Sequence, residues 1–404
     1  MGFVDCDSHL IEGEETWSYL DPSEQMYQPM LTQLPKAASF AGQTLTTSQP
    51  DEFWLAGDTW TSHSPPDSNR RGNANVYAPE STHLLDPAVR ISDLDALGIE
   101  MQLLISSFFI GIEIDHPLAE AAIARSYNRW AADVVGEHTD RFRWSLRPPL
   151  RLLERAFEEL EFGAANGAAG IHVRGIEHGY YLSDPYFYPL YERAQDLNLA
   201  ILVHVGAALR RVDNQPIGKV LASPPAFFGH VSTLMAGFHA VISSDLHERF
   251  PRLRWGFLEG GATWATAVLQ QHARLVASAS TDFLDLRPVT PDELEAKNVF
   301  IACEADEDLP YLTKVLGENV LCIGSDYAHN DVGSELAAHT TVLNRTDISA
   351  SVAHKIVDTN GRKLLGLSPG TGNGISPAMD IPETLPHVRG ASTHDGKPIL
   401  TSVR

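Results

Sequence analysis

Short apolar runs with the period of a strand recur along the chain at residues 3–7, 101–106, 142–146, 170–173, 200–204, 253–258, 299–303 and 320–325. Between them lie stretches with apolar residues at helical spacing: 117–135, 152–165, 185–197, 263–279 and 309–316, with a last one at 352–367. Strand and helix alternating through eight strands predict a parallel (β/α)8 barrel of the TIM type, with the helices outside. A doubly wound open sheet is the competing arrangement, but no Gly-x-Gly-x-x-Gly follows any of the strands. Two segments break the rhythm. Residues 21–90 have no clear period and are rich in Pro, Ser, Thr and Gly, yet carry Phe53, Trp54 and Trp60 as apolar anchors. They are expected to form an ordered insertion after the first strand, either a lid or a subunit contact. Residues 368–404 read as an extended C-terminal tail that wraps a surface or another subunit, leaving residues 1–367 as one barrel domain.

Composition narrows the partners. A chain of 404 residues, 43% hydrophobic, can bury a large core. Its 30 basic and 52 acidic residues give a formal charge of −22, which argues against nucleic acid or an anionic membrane surface as partner. Cys6, Cys303 and Cys322 all sit inside apolar runs, as expected of core residues in a reduced, cytoplasmic protein. No apolar stretch reaches the ~18 residues of a membrane helix. Apolar positions in the insertion and tail (Trp54, Trp60, Ile375, Leu385, Ile399) suggest burial against another subunit, in a homo- or hetero-oligomer.

The chemistry collects at strand ends. Val4-Asp5-Cys6-Asp7-Ser8-His9 ends in Asp-x-His, and a period of two puts Asp7 and His9 on one face. His172 and Arg174 follow on the fourth strand, His204 closes the fifth, Glu259 with Gly260-Gly261 follows the sixth, and Asp326 with His329 follows the eighth. In a parallel barrel these C-terminal ends meet at one mouth. A lone strand-end histidine is more often a satisfied polar group than a ligand; five strands each contributing a ligand-type residue carry the argument. Imidazole and carboxylate donors without cysteine suit a divalent zinc, manganese or iron ion. Ile171 and Val173 would face the outer helices and leave His172 and Arg174 pointing into the mouth. There Arg174 needs a carboxylate, either Glu259 or a substrate acid.

These residues resemble the amidohydrolase-related family of the amidohydrolase superfamily, which includes the aminocarboxymuconate semialdehyde and resorcylate decarboxylases. The resemblance runs from Asp5 to about Leu367, through Tyr127-Asn128-Arg129-Trp130, Asp184-Pro185-Tyr186-Phe187-Tyr188-Pro189-Leu190-Tyr191, Val203-His204, Arg249-Phe250-Pro251-Arg252-Leu253, Glu259-Gly260-Gly261-Ala262-Thr263-Trp264 and Gly324-Ser325-Asp326-Tyr327-Ala328-His329. It implies a distorted barrel holding a divalent metal by Asp7, His9, His204 and Asp326. Two positions depart from the family's decarboxylases: Asp7-Ser8-His9 stands where they have His-x-His or Glu-x-His, and Glu259 where they tend to have a proton-transferring histidine. His172 and Glu259 would both suit a second metal. The resemblance therefore implies a hydrolase or decarboxylase of a small carboxylic acid, with zinc as the first expectation, Asp326 moving the proton and Arg174 holding the substrate carboxylate. The alternatives are a dinuclear iron or manganese oxygenase with His329 behind the ligands, and a metal-binding partner subunit of an active paralogue with the same fold.

Overall fold

The structure, a computed structural model, describes residues 2–34, 37–40, 43–46, 51–57, 59–62, 76–206, 224–278, 286–329, 333–368 and 388–389. Eight strands, β1 (Phe3–Leu10), β2 (Ile99–Ser106), β3 (Phe142–Leu146), β4 (Ala168–Arg174), β5 (Ala200–His204), β6 (Trp255–Leu258), β7 (Val299–Cys303) and β8 (Leu321–Ile323), form one sheet in sequence order. Every neighbouring pair is parallel. The sheet closes where Ser8 bridges to Tyr327: the His9 amide donates to Tyr327 O and the Asp326 amide to Asp7 O, both at 2.8 Å. This is the expected (β/α)8 barrel, with a seam made by the turn after β8 instead of by β8 itself.

Alternation sorts the side chains into two apolar layers. Ile201 and Val203 of β5, with Trp255 and Phe257 of β6, join the large cluster that also takes in the surrounding helices. Leu202, Leu258, Phe300 and Cys322 join Val4 and Cys6 in a separate, smaller cluster that fills the lumen. Leu364 and Leu365 belong to this lumen cluster too. They end the last helical run, Ala350–His354, Lys355–Thr359 and Asn360–Leu364, whose middle turn is a π-helix. One irregularity matters for function. Asp5 pairs with Gln102 but Ser8 with Leu104, so β1 carries one residue more than β2 between those points. The bulge re-aims the strand, and Asp7 and His9 thereby reach the top of the lumen already floored by Val4 and Cys6.

The insertion is ordered in its described parts. Met30–Leu34, Asp51–Ala56 and Thr59–Ser62 form an antiparallel sheet. Trp54 is buried there, its ring 5.7 Å from Trp17 and 6.4 Å from Phe108. Two helices, Pro79–Thr82 and Pro87–Leu97, follow and were not expected. The second buries Arg90 and Asp93 beside Leu94 and Leu97, which hides its helical period. These helices buttress the barrel seam: Tyr327 Oη donates to Asp93 (2.7 Å), and Arg90 lies 4.3 Å over the Tyr327 ring and donates to His9 O at 2.7 Å. Helix Pro224–Ile242 was also missed, because its near-uniform apolar sequence has no polar face. Of the tail, Val388–Arg389 pairs antiparallel with Val76–Tyr77. Residues 63–75, 369–387 and 390–404, with Ile375, Leu385 and Ile399, lie outside the described residues. All three cysteines are free and buried, and no helix among the described residues is long and apolar enough to cross a membrane.

Candidate metal centre

Six of the eight candidate residues converge at the C-terminal mouth of the barrel. Ligand atoms of His9, Glu259, Asp326 and His329 lie within 4.8 Å of one another, and those of Asp7, His9 and His204 form a second such group. His9 Nε2 stands 3.0 Å from Asp326 Oδ1 and 3.5 Å from Asp7 Oδ1. His204 Nε2 stands 3.5 Å from Asp7 Oδ1 and 3.2 Å from Glu259 Oε2, and His329 Nδ1 stands 3.1 Å from Asp326 Oδ1.

Local structure places each group. Asp5 accepts from the Ser325 amide (2.8 Å), the Ser325 hydroxyl (2.5 Å) and Gln102 Nε2 (2.7 Å), clamping β1 to the turn that presents Asp326. Glu259 and Asp326 both have left-handed backbone, with φ of 61° and 51°. Non-glycine residues held this way cost about 1–3 kcal/mol and persist where the surroundings over-determine them, which is common at functional sites. After Glu259, Gly260 and Gly261 (φ 78° and 70°) lead to the amides of Ala262 and Thr263, which Glu307 accepts at the start of helix Thr263–Val276. Two rings have their outer nitrogens engaged. His204 Nδ1 donates to Val205 O at 3.0 Å, so its Nε2 faces the cluster as a lone pair, and His329 Nε2 meets Ser107 Oγ at 2.8 Å, which turns its Nδ1 toward the cluster.

The charges in the cluster act on one another. Burial opposes ionisation of Asp7, but His204 and His9 overcome it and hold its carboxyl below the usual range. Asp326 is held low in the same way, against burial, by His329 and His9. Burial disfavours charge on His9 too, yet Asp326 and Asp7 raise its pKa. Asp7 Oδ1, both nitrogens of His9, His204 Nε2 and Asp326 Oδ1 are buried without a hydrogen-bond partner. Orphaned polar atoms of this kind are rare in a folded interior, and three imidazoles with three carboxylates fit a divalent metal. Asp7, His9, His204 and Asp326 are the residues that would hold it.

Two candidates stand apart. His172 is fully buried with neither ring nitrogen partnered, its ring 5.7 Å from that of His204, but it belongs to neither close group. Burial, His204 and Arg147 press its pKa well down, which keeps the imidazole neutral. Arg174 meets neither Glu259 nor the mouth. Its guanidinium donates to Glu177 (Nη2 to Oε2, 2.7 Å) and to Ile112 O (3.0 Å), and Arg147 binds the same carboxylate at 2.8 and 3.0 Å. Glu177 escaped sequence reasoning because it lies on a two-residue strand, Ile176–Glu177, just past the end of β4, too short to show a period. Its one sequence cue is that buried arginines need an acid within reach.

The family model described as Amidohydrolase matches residues 108–367. The chain belongs to the amidohydrolase family. As an enzyme of that superfamily it is similar to the 2-amino-3-carboxymuconate-6-semialdehyde decarboxylase of Dictyostelium discoideum, 24% identical over 70% of this chain and 77% of that one. Among solved structures, an amidohydrolase from Mycobacterium avium subsp. paratuberculosis shares the fold with a TM-score of 0.67 at 20% identity, over 90% of this chain and 99% of the other. The 5-carboxyvanillate decarboxylase of Novosphingobium aromaticivorans, crystallised with manganese and a hydroxy-methoxy-nitrobenzoic acid, gives 0.56 at 22% identity, over 72% and 82% of the two chains.

Proposed function

We propose that this amidohydrolase is a metal-dependent decarboxylase of a small carboxylic acid. The observation that carries the reading is the set of buried, unpartnered donor atoms on Asp7, His9, His204 and Asp326 at the barrel mouth. The decarboxylases among its relatives support the choice of reaction. A divalent ion held there would act as a Lewis acid on the oxygens of the bound acid. Because Arg174 is taken by Glu177, the substrate carboxylate meets the cluster itself instead of an arginine clamp. In this reading Asp326, ionised at rest, takes a proton from water and passes it to the substrate carbon that loses carbon dioxide; its Oδ2 accepts from Ser334 Oγ at 2.5 Å, which orients the group, and Oδ1 faces the cluster. Glu259, with a side chain 15% exposed, lines the entrance where the decarboxylases tend to carry histidine.

The test is release of carbon dioxide from a panel of hydroxybenzoic and unsaturated carboxylic acids, by protein stripped of metal and then reloaded with manganese or zinc. Metal-restored release from at least one acid is expected. Dioxygen uptake without carbon dioxide release would replace this reading with the oxygenase, and turnover that survives stripping would remove the metal from it.

A further inference from the structure

The hairpin that leaves β4 turns on a histidine held between two acids. Ile176 pairs with Tyr181 and Glu177 with Tyr180, so His178 and Gly179 form a two-residue turn, both left-handed with φ of 51° and 83°. A histidine in that backbone is uncommon and persists where its surroundings hold it. Here His178 Nδ1 stands 2.8 Å from Glu113 Oε1 and Nε2 2.9 Å from Glu120 Oε1, with all three side chains largely buried. A neutral imidazole carries one N–H and can donate to one acid; the imidazolium donates to both. The acids are anchored on other elements. Glu113 follows β2, and Glu120, on helix Pro117–Val135, also accepts from the amides of Leu150 and Arg151 at 3.2 and 2.9 Å. The other charged and titratable groups around the turn are Arg151 with Asp115, Arg174 and Arg147 with Glu177, and Tyr186, whose Oη donates to Leu150 O. Arginine keeps its charge throughout. Burial opposes ionisation of Glu113, but His178 and Arg174 hold it down at about 2. Burial disfavours charge on His178 too, yet Glu113 and Glu120 raise its pKa. The turn is coupled to the barrel mouth. Glu177, next in the chain, binds Arg147 and Arg174; Arg174 is in register with His204 on β5, and a Cβ on Gly206 would lie 2.8 Å from the Arg174 side chain.

We propose that His178 is a pH-sensitive latch: as the imidazolium it pins the hairpin Ile176–Tyr181 to Glu113 and Glu120 and keeps Glu177 on Arg147 and Arg174, and on losing its proton it lets go of one acid and loosens this side of the mouth. The sign follows from linkage. A histidine whose pKa rises on folding contributes fully below its ordinary value of 6.5 and loses that contribution as pH climbs through the folded value, so the latch is closed in acid and opens on the alkaline side. It acts on the rim whichever acid the metal centre takes.

The experiment titrates the full chain, ¹³C-labelled at histidine Cε1, and follows the His178 resonance by nuclear magnetic resonance alongside hydrogen exchange of residues 174–184, corrected for base catalysis. The resonance is expected to titrate with a midpoint above 6.5, and protection of the hairpin should fall about tenfold or more across the same midpoint, as loss of a charged hydrogen bond does. Glu113→Gln should move both midpoints down together. His178→Asn, which suits the left-handed turn but does not titrate, should show the low protection at every pH. The resonance is assigned by its loss in His178→Asn, or by its shift in Glu113→Gln if circular dichroism shows the asparagine variant unfolded. A midpoint at or below 6.5 overturns the latch, as does a fall in protection that does not track His178 or that survives in His178→Asn. A resonance that stays protonated to about pH 9.5 also overturns it, leaving a permanent ion pair in its place.

Discussion

Glu12 shows how one residue near the centre can set a pH dependence. Its carboxylate is 1% exposed, accepting from the Ser106 hydroxyl and, at 2.9 Å, from the Phe108 amide. Burial outweighs those bonds and pushes its pKa from 4.5 to about 7. The folded state therefore holds a proton that the unfolded chain has lost, so the contribution of Glu12 is fully present below pH 4.5 and declines as pH rises to about 7. At about 1.4 kcal/mol per unit the loss is about 3 kcal/mol. Glu12→Gln keeps a neutral acceptor and donor in place, so urea unfolding at pH 5 and pH 8 should show a smaller fall in stability than the wild type; an equal fall would sink the assignment. The strand-end donors Asp7, His9, His204, Glu259 and Asp326 were legible because a ligand-type residue after an apolar run has one structural reading in a parallel barrel. The partners of Arg174 and His329 were not. Glu177 lies on a two-residue strand and Ser107 at a bend, both too short for a period to constrain direction, and their contacts exist only once β3, β4 and the segment after β8 are assembled.

At the scale of elements, the end of β4 and helix Pro224–Ile242 approach closely. A Cβ on Gly175 would lie 1.7 Å from Thr233 O, and one on Gly237 would lie 2.8 Å from the Gly175 Cα. Neither obstacle is a side chain that can rotate away. Gly175→Ala should therefore lift the helix from the short strand Ile176–Glu177, with a cost of about 1–3 kcal/mol or more from overpacking. Chemical denaturation measures the cost, and a variant as stable as the wild type would show that the helix does not press on this turn. The alternating strands of the barrel were legible because each has a lumen face and a helix face. This helix was not, since a segment apolar on every side has no moment to read, and neither was Pro87–Leu97, whose buried Arg90 and Asp93 interrupt its apolar face.

For the whole molecule, the eightfold repeat foretold the barrel but not its seam. Closure depends on the β1 bulge and on two backbone hydrogen bonds to the segment after β8, a pairing set by tertiary contact with no sequence period behind it. The same region bears on assembly. The insertion that buttresses the seam leaves Met26 79%, Met30 63% and Leu31 36% exposed, and the Tyr27 ring between them lies 5.5 Å from His116, next to Leu118 at 44%. Exposed unbranched methionines make a surface that adapts to another protein, and exposed apolar side chains favour association. With −22 charges spread over the chain, long-range repulsion opposes that association, so it should strengthen as salt screens it. Light scattering in moderate salt is expected to return twice the 44.3 kDa chain mass, and Met30→Glu, which puts a charge in the middle of the patch, should return the single-chain mass with the fold intact. A wild-type mass of one chain at every salt concentration would show that this face stays in water, and a dimer unmoved by Met30→Glu would place the contact elsewhere.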